Sequence, residues 1–116
     1  IAVIQKHLHL NLSNQDVYIN IVGGLKVSEP AIDLAVIMAI ISSFKKIALP
    51  ADCVYTGEVG LSGELRSVHQ LAKRINEAEK IGFKKIVIPK TSEKIDAKKI
   101  TVSSLTDLSQ AVKDLI

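Results

Sequence analysis

The spacing of apolar and polar positions divides the chain into short strands and helices. Residues 17–22 (VYINIV) alternate β-forming side chains and stop at a double glycine, which predicts a strand. Residues 31–44 follow a Ser-Glu-Pro start and are apolar on nearly every face, which is typical of a central helix covered on several sides. The same reasoning predicts further strands at residues 53–56, 85–89 and 100–103, and further helices at residues 67–82 and 106–116.

Glycines punctuate residues 57–63, between the strand at 53–56 and an extended run that resumes at Leu65. This spacing predicts a hairpin-like turn in which positive φ angles are needed. Strands and helices alternate in the later part of the chain but not in the earlier part. We therefore expect an α/β protein of the α+β type, with helices packed on a mixed β-sheet.

The apolar side chains are almost all aliphatic. Hydrophobic residues make up 47% of the 116 residues and aromatic residues only 3%, so the core must consist of Ile, Leu, Val and Ala. A chain of this length forms a single domain with a real core. So few rings disfavour a base-stacking platform for single-stranded nucleic acid. Cys53 is the only cysteine, which excludes a Cys-ligated zinc site and a disulfide framework.

Positive charge is concentrated in the second half of the chain. The formal net charge is +3, but residues 1–58 hold four lysines against five acids, whereas residues 59–116 hold eleven basic residues against seven acids. There is no apolar run long enough to span a membrane and no signal-peptide pattern, so we expect a cytoplasmic protein without membrane contact. The chain starts at Ile1, inside an apolar pattern, and we expect it to be cut from a longer protein.

Several candidate sites can be weighed on spacing alone. The glycine clusters match neither the phosphate loop of nucleotide-binding proteins nor the dinucleotide fingerprint, so we interpret them as turns. His7 and His9 lack a third ligand, and a metal site is disfavoured. Cys53 begins an apolar strand and is predicted to be a core residue. A Ser–Lys hydrolytic pair could use Ser28, Ser62 or Ser67 with Lys73, the only plausible base nearby on an ordered element.

Three stretches together resemble a known family. They are VYINIVGG, GGLKVSEPAIDLAVIMAIISS and YTGEVGLSGELRSVHQLAKRINEAEKIGFKKIVIPK. In order and without large gaps over residues 17–90, they resemble the C-terminal Lon-protease-like domain of the bacterial RadA (Sms) DNA repair proteins. The resemblance implies a Lon proteolytic-domain fold, a two-layer fold of the ribosomal-protein type, with residues 1–116 as one domain. It also implies that a zinc finger and a RecA-like ATPase core, with their Zn²⁺, ATP and Mg²⁺, belong to other parts of the parent protein.

The resemblance to active Lon proteases is more distant and locates their catalytic pair on this sequence. Lon proteases carry the nucleophilic serine directly after a proline at the start of the central helix, and Ala31 follows Pro30 here. Their catalytic lysine lies nine residues after the glycine that corresponds to Gly63, which is Ala72 here. Without the hydroxyl and the amine, this pair has no mechanism for peptide hydrolysis. We therefore expect no enzyme activity in this chain, and a DNA-dependent ATPase in the parent.

The family resemblance implies a scaffold that assembles with copies of itself, as a hexameric ring, and that acts in recombination beside a RecA-type recombinase. It also implies contact with single- or double-stranded DNA, for which phosphate binding is the mode that suits this composition. The candidate DNA contacts are Lys26, Arg66, Lys73 and Arg74. Two alternatives stay open: a residual Lon-type Ser/Lys peptidase, and a module that binds a partner in the vacated protease cleft.

Overall fold

The computed structural model of this chain describes residues 30–113, in which groups of strands lie between helices. A short 3₁₀ turn, Pro30–Ile32, precedes the first helix. The helices are α1 (Asp33–Lys45), α2 (Leu71–Ile81) and α3 (Leu108–Val112), and the strands are β1 (Cys53–Tyr55), β2 (Glu58–Val59), β3 (Leu65–Arg66), β4 (Lys85–Pro89) and β5 (Thr101–Leu105). The strand predicted at residues 17–22 lies outside the described residues, as do His7, His9, Lys26 and Ser28.

The main sheet has the strand order β1-β4-β5, and both pairings are parallel. Val54 pairs with Ile86, and Ile86 pairs with Val102. The central strand β4 is buried from Ile86 to Pro89. Its continuous apolar run is what a parallel strand covered on both faces requires, because neither face meets water.

The side chains of β4 separate two hydrophobic cores. Val87 packs in one core with Leu34, Met38 and Ile41 of α1 and with residues of α3. Ile86 and Ile88 point to the opposite face, where they pack with α2. The α/β class is confirmed, but the described residues place the parallel and antiparallel pairings in two separate sheets rather than in one mixed sheet. The described part has helices on both faces of the sheet and thus three layers, where a two-layer arrangement was expected, because successive β4 residues are apolar in both directions.

The antiparallel pair β2–β3 confirms the hairpin predicted from the glycine spacing. Glu58 pairs with Arg66 and Val59 with Leu65. The Gly60 and Glu64 backbones close the turn through a 2.9 Å hydrogen bond from the Gly60 N–H. Asp33, in the first turn of α1, accepts a hydrogen bond from the Val59 N–H at 3.1 Å. That bond fixes the hairpin against the start of α1.

Two helix starts differ from the sequence prediction. The second helix begins at Leu71 rather than at residue 67, because Gln70 adopts a left-handed conformation with φ of 57° that cannot continue a helix. The last helix begins at Leu108, since the Asp107 side chain accepts a hydrogen bond from the Gln110 N–H and caps it. Helical spacing from the buried residues Leu71, Ile75 and Ala78 predicts that Ile81 is also buried, but the structure leaves it 70% exposed. No helix within residues 30–113 has the length and apolar character needed to cross a membrane.

Gly57 joins β1 to the start of α1. Its N–H donates to the Ala31 carbonyl and its own carbonyl accepts from the Leu34 N–H, each at 3.0 Å. Its φ is 155°, and a Cβ built there would lie 2.9 Å from Cγ of Pro89. The close approach of the 3₁₀ turn, β1 and β4 therefore depends on the absence of a side chain at this position.

The Glu79 carboxylate fixes the segment before β5 to α2. One oxygen, Oε2, accepts hydrogen bonds from three consecutive backbone N–H groups, those of Lys98 at 3.0 Å, Lys99 at 2.6 Å and Ile100 at 2.9 Å. These backbone donors, those of Lys99 and Ile100 foremost, lower the pKa of Glu79 below its ordinary value. The charged form of Glu79 is thus the form that holds this segment in place.

We predict that Gly57→Ala destabilises the fold by about 2 kcal/mol, since it adds a left-handed φ to a steric conflict with Pro89. Gly82→Ala is the matched control: Gly82 has φ of 108° but open space around its Cβ position. It should cost only about 1 kcal/mol. Urea unfolding of both variants measures the difference, and equal losses would show that the contact with Pro89 is unimportant.

We predict that Glu79→Gln lowers the urea midpoint of unfolding at neutral pH. The folded pKa of Glu79 lies below the ordinary 4.5, so its contribution is fully present above that value. It is lost as the pH falls through the folded pKa, and the two proteins should converge there. Asp96→Asn, in an exposed carboxylate of the same segment that bonds to no described residue, is the control. A gap between wild type and Glu79→Gln that stays constant with pH would contradict the prediction.

Candidate functional site

The carboxyl ends of β1 and β4 form what we call the carboxyl edge of the main sheet. The turn Pro30–Ile32, Gly57, the β2–β3 hairpin and the start of α2 lie around it. In parallel α/β sheets, ligand sites form at this edge, because the loops and the helix N-termini converge there. Ala31 and Ala72, the two positions to which the resemblance to Lon proteases points, both lie at this edge.

Ala31 lies in the turn before α1 and is 3% exposed. Its carbonyl accepts the Gly57 N–H at 3.0 Å and the Thr56 hydroxyl at 3.4 Å. Thr56 is a buried polar residue, and this bond satisfies its hydroxyl. The contacts of Ala31 that hold the site together are thus made by its backbone, while its methyl group offers no nucleophile.

Ala72 lies in the first turn of α2, on the other face of the sheet from α1. Its N–H donates to the Glu93 carboxylate at 3.4 Å. Lys73 follows it and is exposed. The structure therefore places both positions near helix starts at the carboxyl edge, on opposite sides of β4, and neither supplies a group for proton transfer or nucleophilic attack.

The structure describes three of the four cationic candidates, and it places them differently. The Arg66 guanidinium lies 3.3 Å from the Glu64 carboxylate and 4.0 Å from that of Glu58. The Arg74 Nε donates to the His69 carbonyl at 2.9 Å. Lys73 is an exposed neighbour of Arg74 on α2. Arg66 is thus held by acidic residues of its own hairpin.

A shallow groove of about 410 Å³ brings Lys73 and Arg74 together with apolar side chains of Val54, Ala78, Ile81 and Phe83. Sequence reasoning missed this groove. The available signal was Ile81, which the helical spacing places among buried positions and which the structure leaves exposed. A contiguous apolar groove with polar residues at its rim is typical of surfaces that contact other molecules.

Of the remaining serine candidates, Ser62 has a described contact, and that contact is not with the candidate base Lys73. Ser62 is exposed in the hairpin turn, where its N–H donates to Glu64 at 3.1 Å, and no hydrogen bond joins it to Lys73. Cys53 packs at the margin of the core, as predicted. Its neighbour Tyr55 has a pKa raised to about 12, first by burial and then by its hydrogen bond with Cys53. This tyrosine stays protonated at physiological pH.

The resemblance assigns ATP, Mg²⁺ and Zn²⁺ to other parts of the parent protein, and two features of this chain bear on what these groups need. Within residues 30–113 there is no group of three or more His, Cys, Asp or Glu placed to hold a metal ion. The glycine turns carry no following Lys-Ser/Thr pair for a nucleotide phosphate. No chemical step of this site can be assigned to those groups.

Comparison with known proteins identifies relatives of this chain. A family model described as subunit ChlI of Mg-chelatase matches residues 1–92. The protein named DNA repair protein RadA from Haemophilus influenzae is 44% identical over 119 residues, which cover 99% of this chain and 26% of the relative. The proteins of the same name from Aquifex aeolicus and Streptococcus pneumoniae are 44% identical over 115 residues and 53% identical over 92 residues. These matches cover 99% and 78% of this chain, and 26% and 22% of the relatives.

The chain thus spans about a quarter of the length of the curated relatives it matches. The matches to Haemophilus influenzae and Aquifex aeolicus extend over nearly all of it, including residues beyond the 17–90 stretch that carries the sequence motifs. The chain belongs to the family whose model is described as subunit ChlI of Mg-chelatase, and its relatives confirm the resemblance to the RadA proteins.

Proposed function

We propose that this chain is a non-catalytic scaffold domain of a RadA-type DNA repair protein, which supports a hexameric ring and contacts DNA through phosphates. The observation that carries the proposal is the match of nearly the whole chain to proteins named DNA repair protein RadA. The cytoplasmic location, the RecA-type recombinase partner and the DNA-dependent ATPase activity of the parent, with its ATP, Mg²⁺ and Zn²⁺, belong to the same proposal.

The non-catalytic part rests on the two alanines at the carboxyl edge. A Ser–Lys peptidase needs a hydroxyl and an amine in hydrogen-bond reach of each other. Ala31 and Ala72 provide neither, and the substitute pair of Ser62 and Lys73 has no hydrogen bond between its members. The fold at these positions is held by backbone groups, so it supports a scaffold without requiring catalytic side chains.

Exposed apolar side chains support the assembly part. Leu61 at the hairpin tip is 82% exposed, Ile81 at the end of α2 is 70% exposed and Ile47 after α1 is 41% exposed. Among the described strands, β1 and β5 are the outer strands of the main sheet, and each pairs with β4 on one side. Contact between copies would cover these exposed side chains, and strand pairing at β1 or β5 is one way to make it.

The scarcity and partial burial of aromatic rings favour phosphate contact over base stacking as the mode of DNA contact. Within the described residues, Phe44, Phe83 and Tyr55 are each partly buried against one of the two cores. A ring packed in this way presents less of its face for stacking with bases than an exposed ring does. Lysine and arginine contacts to phosphates then remain, and these bind all sequences alike.

A second candidate, a module that binds a protein partner, is favoured by the apolar groove beside α2. Ile81 and Phe83 offer apolar area there, and Lys73 and Arg74 offer positive charge. Capture of the ATPase part of the parent protein by the chain, and its loss on Ile81→Ser, would distinguish this candidate from DNA binding.

We predict that the chain self-associates and does not cleave peptides. Light scattering over a range of concentrations should give masses above the 12.6 kDa of one copy. A strict monomer at every concentration would contradict the assembly. Casein should stay intact, and cleavage that Lys73→Ala abolishes would contradict the scaffold in favour of the peptidase.

We predict that the chain binds duplex and single-stranded DNA with little sequence preference and with affinity that falls steeply as salt is raised. The physical reason is the release of counterions when lysines and arginines neutralise phosphates. Fluorescence anisotropy with labelled oligonucleotides of unrelated sequence tests this. A clear preference for one sequence, or an affinity independent of salt, would contradict phosphate contact.

A further inference from the structure

Seven exposed lysines gather at the end of the sheet opposite the vacated catalytic pair. We call this end the amino edge, because β1, β4 and β5 begin there. The lysines occupy the ends of α1 and α2, the start of β4 and the segment before β5. They are Lys45, Lys46, Lys80, Lys84, Lys85, Lys98 and Lys99.

The direction of the helices brings the first three of these lysines to the amino edge. The Leu34 N–H bonds to the Gly57 carbonyl, so α1 begins at the carboxyl edge. Its 13 residues then run about 20 Å back past the start of β1. The start of α2 is likewise bonded to Glu93, beyond the end of β4, and its C-cap Gly82 lies just before the start of β4.

Hydrogen bonds hold the other four lysines in neighbouring positions. The N–H groups of Lys84 and Lys85 both donate to the Asp52 carbonyl, at 2.9 and 3.2 Å. The Lys84 carbonyl accepts the Thr101 N–H at 2.9 Å, which joins the starts of β4 and β5. Lys98 and Lys99 are fixed by the Glu79 carboxylate. These lysines come from different elements but belong to one edge.

The excess of positive over negative side chains among the described residues comes entirely from the amino edge. Seven lysines there stand against three carboxylates, those of Asp52, Glu79 and Asp96. The other described residues carry six basic side chains and six acidic ones, which balance. The Glu79 carboxylate is already engaged by three backbone N–H groups. The positive charge of the amino edge is thus poorly compensated by its own acids.

The lysine side chains of the amino edge are available to a ligand. Both ion pairs among the described residues involve Arg66, at the carboxyl edge. Lys45 and Lys80 lie in the last turns of their helices, where they also interact favourably with the negative helix ends. The other four lysines do not lie in the last turn of a helix, so the helix dipole does not explain why they are here. They are Lys84, Lys85, Lys98 and Lys99.

We infer that the amino edge is the surface that binds the phosphate backbone of nucleic acid. The inference rests on the proposed function and assigns its DNA contact to a surface away from the carboxyl edge. Neighbouring strands lie about 4.8 Å apart, and Lys85 pairs with Thr101, so the lysines before β4 and β5 come from adjacent positions on the sheet. Lysine is a flexible point charge, which suits phosphate binding without sequence readout.

The test compares three triple variants of the 116-residue chain that each remove three positive charges. The amino-edge variant is Lys84→Gln, Lys85→Gln and Lys99→Gln, and the matched control is Lys90→Gln, Lys94→Gln and Lys113→Gln. The rival variant changes Arg66, Lys73 and Arg74 to Gln. Thermal unfolding establishes that each is folded. Fluorescence anisotropy then measures binding to a labelled duplex and a labelled single strand over a salt series.

We expect the amino-edge variant to lose about tenfold or more in affinity at low salt, and its log–log salt slope to fall by up to about 3. The control should lose much less. If the control or the rival variant loses as much as the amino-edge variant, the inference is wrong while DNA contact by this chain stands. If the unmodified chain binds no DNA at low salt, the proposed DNA contact itself fails. Tighter binding to phosphatidylserine vesicles than to either DNA would also overturn the inference.

Discussion

Burial of β4 on both faces is the constraint on which the rest of the structure depends. Val87 faces one core while Ile86 and Ile88 face the other, so a helix must cover each side of the strand. Short connections then require each helix to run against the direction of the strand it covers. Both long helices therefore begin at the carboxyl edge and end at the amino edge. The polarity of the whole domain follows from this one strand.

Because both long helices run from the carboxyl edge to the amino edge, negative groups collect at the first edge and positive groups at the second. Helix N-termini favour negative groups, and the carboxylates of Asp33 and Glu93 accept backbone N–H groups at the carboxyl edge. Helix C-termini favour cations, and lysines end both α1 and α2. The lysines before β4 and β5 add to those at the helix ends. The amino edge thus becomes positive beyond what the helices alone require.

The elements that depend on local pattern could be predicted from the sequence, whereas the features that depend on distant residues could not. The apolar run of β4, the central helix and the glycine hairpin all carry local signals, and they are confirmed. The late start of α2 could not be predicted, because nothing in the residue type of Gln70 demands a left-handed conformation. The two alanines were located by resemblance to a family. The positive amino edge could not be predicted, because Lys46, Lys84 and Lys98 are far apart in the sequence. Only the topology shows that they lie at the same edge of the sheet.

At the carboxyl edge, the hydrogen bonds that hold the fold at Ala31 and Ala72 are made by their backbone groups. The side chains at these two positions take no part in them. Ala31 is held through its carbonyl, which accepts from Thr56 and Gly57, and Ala72 bonds through its N–H. A catalytic pair would need a hydroxyl and an amine, but the hydrogen bonds that hold the fold at these positions need neither side chain. Alanine at both positions leaves the hydrogen bonds between the helix starts and the sheet intact. The arrangement of the carboxyl edge therefore does not depend on a reactive side chain at residue 31 or residue 72.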